Sequence, residues 1–70
     1  MFKKGDLVIG KANNPYGITS SNVICLVLKD EDSRGIVKLK IVNPSMNKSI
    51  PSESIGFIDN VESEYFELYE

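Results

Sequence analysis

Seventy residues with eight basic and ten acidic side chains, one cysteine and no histidine make a short, weakly acidic chain. A chain of this length folds as one domain over 1–70, buries only about 60% of its unfolded surface and has no room for a catalytic cleft between lobes. The single Cys25 cannot form an intramolecular bridge, and the absent histidine removes the commonest proton shuttle, which argues against a disulfide scaffold and against an enzyme.

The first predicted strand is Leu7, Val8 and Ile9, entered through a turn at Gly5 and Asp6. Next come Asn13, Asn14, Pro15, Tyr16 and Gly17, where the Asn residues tolerate left-handed backbone, Pro15 fixes φ and Gly17 can supply a positive φ. Thr19, Ser20, Ser21 and Asn22 carry side chains able to bond nearby backbone, so this loop should be compact. The second strand, VICLVL at 23–28, is apolar at every position and needs cover on both faces. A charged reversal at 29–35 leads into IVKLKIV at 36–42, where Val37, Leu39 and Ile41 face one way and Lys38 and Lys40 the other.

Residues 43–54, NPSMNKSIPSES, read as a long, mobile connection with a brief strand at Ile50. The spacing predicts a fourth strand over Ile55–Ile58, a turn or bulge at Asp59 and Asn60, then one helical turn near Ser63 and a last strand through Phe66 and Leu68. The expected fold is all-β: a small barrel of four to five antiparallel strands with one short helical turn before the last. The candidate core is Leu7, Ile9, Ile24, Leu26, Val37, Leu39, Ile41, Phe57, Phe66 and Leu68, with Cys25 and Val27 on the second face of strand two.

Little in the chain supports catalysis or metal binding. Cys25 has no basic neighbour in sequence to lower its pKa, and Asp30, Glu31 and Asp32 read as solvated acids that fail the calcium-loop spacing. Zinc ligands and a phosphate-cradling glycine run are missing, so no metal or cofactor is implied. Binding surfaces are better provided for. Tyr16, Tyr65 and Tyr69 offer rigid apolar bodies with hydrogen-bonding tips, and Tyr16, Gly17 and Thr19 form the loop part of the candidate site; the bland alternative is that Tyr65 and Tyr69 plug the barrel ends.

Charge is divided along the chain. Every basic residue lies between Lys3 and Lys48, and everything charged after Lys48 is acidic, so the two halves either pair across the sheet or steer a partner. The alternative site is therefore a nucleic-acid face on Lys38 and Lys40, opposed by the acidic C-terminal third. The N-terminal residues contain no apolar segment long enough for a signal peptide or membrane span, and with the lone thiol this reads as a cytoplasmic protein.

The segments KKGDLV, YGIT before the V.C.V strand, and the closing YFEL make the chain resemble small phage-encoded proteins with a Src-homology-3-like (SH3-like) barrel, matched at residues 4–8, 16–19, 23–27 and 65–68. The resemblance implies the barrel fold and a phage or prophage origin, where small binders act on host machinery. The stretch 43–54 departs from the pattern in length and composition. The expectation is a non-enzymatic module that binds a host protein or a second copy of itself, since the second face of VICLVL needs cover.

Overall fold

The computed structural model describes residues 1–12, 21–44, 46–47 and 50–69. Five strands lie among them: β1 (Leu7–Gly10), β2 (Ile24–Lys29), β3 (Ile36–Asn43), β4 (Ile58–Glu62) and β5 (Phe66–Leu68), with 3-10 turns at Ser52–Ser54 and Ser63–Tyr65. All neighbours are antiparallel in one sheet of order β4-β3-β2-β1-β5. The meander from β1 to β4, the 3-10 turn and the return of β5 to the free side of β1 match a small SH3-like barrel.

The β2–β3 hairpin is fixed by its reversal. The Asp32 carboxylate accepts from the backbone N–H of Arg34 at 2.8 Å and of Ile36 at 3.0 Å, while the Gly35 N–H donates to the Asp32 carbonyl at 3.0 Å. Gly35 takes φ +78°, a conformation open to glycine at little steric cost. The Arg34 guanidinium closes on the same carboxylate at 2.9 Å, and these partners, the Ile36 N–H first, hold the Asp32 pKa below its ordinary value.

Glu31 ties three separate parts of the chain together. Its carboxylate accepts from the Phe2 backbone N–H at 3.0 Å and from the Ser63 hydroxyl at 2.8 Å, and its own N–H donates to the Phe2 carbonyl at 3.0 Å. The Phe2 bond, followed by the Ser63 bond, lowers the Glu31 pKa. Asp30 accepts from the Lys4 N–H at 2.8 Å. The three acids stay at the surface, as expected, and there also hold backbone and hydroxyl donors, because the reversal brings the N-terminal segment and the second 3-10 turn within their reach.

The core is Val8, Val23, Cys25, Val27, Val37, Leu39, Ile41, Val61 and Phe66, with Phe2, Ile50 and Tyr65 packed against it. The expected inward set of β3 and Phe66 is found there; several other assignments need correction. In β1 the inward residues are Val8 and Gly10, leaving Leu7 41% exposed and Ile9 half-buried. In β2, Cys25 and Val27 enter the main core and Ile24 is buried as expected, while Leu26 is only half-buried on the other face. An apolar run with no polar residue to mark a face leaves parity open, and cross-strand register decides it: Val8 pairs with Cys25, and Cys25 with Ile41.

The fourth strand is Ile58–Glu62 rather than Ile55–Ile58, so Asp59 and Asn60 lie inside it and Val61 supplies its buried side chain. β4 is an edge strand, which tolerates polar residues where a central strand would not. Phe57, placed in the core by sequence, is 44% exposed; its carbonyl accepts from Ile41 N–H at 2.9 Å, so backbone rather than side chain joins it to the sheet. Leu68, opposite Val8 at the other edge, is 53% exposed. Ile50 forms no strand but packs on the core; among its described neighbours the Asn47 side-chain amide donates to the Ser21 carbonyl at 2.7 Å and the Ser54 hydroxyl to the Pro51 carbonyl at 2.7 Å.

Candidate functional site

Strand register assembles the outer face of the sheet in rows. Leu7 pairs with Leu26, Leu26 with Lys40, and Lys40 with Ile58. The Tyr69 N–H donates to the Leu7 carbonyl at 2.9 Å, continuing the β1–β5 register, so Tyr69 joins this row at the far edge. One row thus runs Tyr69, Leu7, Leu26, Lys40, Ile58 across the whole sheet. Its ends are open to solvent: Ile58 is 47% and Tyr69 42% exposed. Next to Ile58 in the chain, Phe57 and Ile55 are exposed as well.

A second row has a different character. Lys29 pairs with Lys38, and Lys38 with Asn60. Together with Asp30, Asp32, Arg34 and Ile36 they line an open groove of about 540 Å³ beside the β2–β3 reversal. The outer face is therefore apolar along most of one row and basic along the next.

Of the residues singled out from sequence, Tyr16, Gly17 and Thr19 lie outside the described residues. Tyr65 and Tyr69 are separated in role. Tyr65 is half-buried against the core, and its carbonyl accepts from the Lys11 N–H at 2.8 Å, whereas Tyr69 stands on the outer row. Lys38 and Lys40 do share the outer face. Sequence reading missed Leu7, Leu26 and Ile58 as members of that face, and missed Lys29 and Asn60 as companions of Lys38. The clean alternation of β3 could have found the last two once the length of the reversal set the hairpin register.

Cys25 is fully buried, with its Sγ 3.9 Å from the Val23 carbonyl, and burial pushes its pKa up to about 12. A thiol-reactive disulfide reagent at pH 8 should leave the folded protein unlabelled and label it fully in urea. Rapid labelling of the native protein would contradict this burial. Among the described residues no group of three or more His, Cys, Asp and Glu is placed to hold a metal ion, and no helix is long and apolar enough to cross a membrane.

No family model, curated protein or solved structure matches the chain. Strand order and register define the class as a small SH3-like barrel with an apolar row and a basic row on its outer face.

Proposed function

We propose that this chain is a non-enzymatic binding module, a cytoplasmic phage or prophage protein that engages a host protein or a second copy of itself. The observation that carries the reading is the row Tyr69, Leu7, Leu26, Lys40 and Ile58, which gathers apolar side chains from β1, β2 and β4 and the Tyr69 ring onto one outward face. Exposed apolar side chains gathered into one patch are the usual mark of a protein contact, and a tyrosine at its edge supplies a rigid anchor. The phage origin rests on the KKGDLV, YGIT and YFEL segments. The cytoplasmic assignment rests on the single, buried thiol.

Light scattering at high micromolar concentration tests the self-associating form: a dimer that becomes a monomer in Ile58→Ser and Tyr69→Ser supports it, and a monomeric parent overturns it. For a host partner, pull-down from host lysate with the same two variants should lose the captured protein. Equal capture by parent and variants would move the contact off this row.

A second reading, nucleic-acid binding through the Lys38 and Lys40 face, is favoured by the basic row that begins beside it. Titration with short DNA and RNA should then show affinity that falls steeply with added salt. Affinity indifferent to salt, or none, would sink this reading.

A further inference from the structure

We propose that the groove beside the β2–β3 reversal is a binding site for a phosphate group, with the Lys29 and Lys38 ammonium groups holding the oxyanion and the Asn60 side-chain amide donating a third bond. The proposal shares Lys38 with the nucleic-acid reading but concerns a single phosphate subsite, so either can stand without the other.

Register provides the first argument. Lys29 and Lys38 are direct cross-strand partners, and like charges placed opposite one another destabilise a sheet. Among the described residues none makes an ion pair with either ammonium; the ion pair on the groove wall joins Arg34 to Asp32. A repulsive pair with no ion-pair partner is what an anion seated between the two would relieve.

The charges around the groove provide the second. Its lining carries three cations, Lys29, Arg34 and Lys38, against two acids, Asp30 and Asp32. Both acids are already engaged: Asp30 with the Lys4 N–H, and Asp32 with the Arg34 guanidinium and two backbone N–H groups. Glu62 stands opposite Ile36, two residues beyond Asn60 on β4, and does not line the groove. With Asp32 paired to Arg34, the two lysines face the single Asp30 carboxylate, so the lining keeps a net positive charge, beside an amide whose N–H₂ can only donate. Phosphate oxygens act chiefly as hydrogen-bond acceptors, so two ammonium groups and one amide N–H₂ suit a phosphate. Ile36 adds an apolar wall, and a groove of about 540 Å³ admits a phosphate together with a small attached group.

The test uses the full chain with inorganic pyrophosphate and, separately, a ten-residue oligothymidylate, both at constant ionic strength made up with chloride. In 15N-resolved NMR titrations, pyrophosphate should shift the amides of Lys29, Lys38 and Asn60 first, and it should raise the melting temperature above the chloride control. Lys29→Gln and Lys38→Gln should each weaken pyrophosphate binding about tenfold and remove the extra thermal shift. Because phosphates raise melting temperatures through general exclusion from protein surfaces, only the difference between parent and variants counts. Equal thermal shifts in parent and variants, or amide shifts scattered away from the groove, would overturn the site. Pyrophosphate binding without oligothymidylate binding upholds the site and defeats the nucleic-acid reading. Oligothymidylate binding that is lost in Lys40→Gln, with no pyrophosphate response at the groove amides, defeats the site and leaves that reading standing.

Discussion

Truncating Leu39 to Ala should destabilise the protein by about 2–5 kcal/mol, whereas Phe57→Ala, also the truncation of a large apolar side chain, should cost well under half as much. Leu39 is fully buried in the middle of β3, between Val27 on β2 and Asp59 on β4, and its removal leaves a cavity that the paired strands on either side cannot close. Phe57 stands largely in water and joins the sheet through its carbonyl. A domain of this length has a total stability of about 4–10 kcal/mol, so Leu39→Ala should leave a substantial unfolded population at 37 °C. Urea denaturation of both variants checks the pair. Equal losses would put Phe57 back in the core and undo the placement of β4.

The second large effect centres on Glu31. Glu31→Gln should cost about 1–2 kcal/mol at pH 7, a figure already reduced for the exposure of the group, because the amide replaces a charged acceptor of two hydrogen bonds and leaves one donor facing an N–H₂. The sign of the pH dependence follows from the lowered pKa. Folding depresses the Glu31 pKa below the ordinary value of 4.5, so its contribution is fully present above that value and is lost as pH falls through the lower, folded-state pKa. Urea midpoints of parent and Glu31→Gln should therefore differ at pH 7 and converge toward pH 3. A gap of constant size across that range would show that shape, and not charge, is what the N-terminal segment and the Ser63 turn require.

Which parts of this molecule can be read from sequence follows from where polar residues mark a face. In β3, Lys38 and Lys40 alternate with Val37, Leu39 and Ile41, so the sequence alone separates the buried set from the exposed one. In β1 and β2 the runs LVI and ICLVL contain no such marker, and only pairing with β3 reveals that Val8, Cys25 and Val27 point inward. β4 is obscured in a different way: IGFI is a more strand-like string than IDNVE, but the Ser52–Ser54 turn and Gly56 at φ +94° delay the strand, which then tolerates Asp59 and Asn60 because it is an edge. The second 3-10 turn and the last strand are legible from Ser63 and the Phe66–Leu68 spacing. The outer-face rows are not, since each is a sum of registers from several strands that are distant in the chain.

The closing pair of the sheet has a kinetic meaning. β1 meets β5 through Val8 with Leu68, Ile9 with Glu67 and Gly10 with Phe66, contacts that span nearly the entire chain. The β2–β3–β4 meander joins strands that are neighbours in sequence, so it can nucleate early, while the β1–β5 ladder must wait for the largest loop closure in the molecule. Until that ladder forms, Phe66 is missing from the core and one side of β1 is an open edge. The pairing of longest sequence range is also the one that seats Tyr69 on the outer row, so that row is completed only when the last strand has joined the sheet.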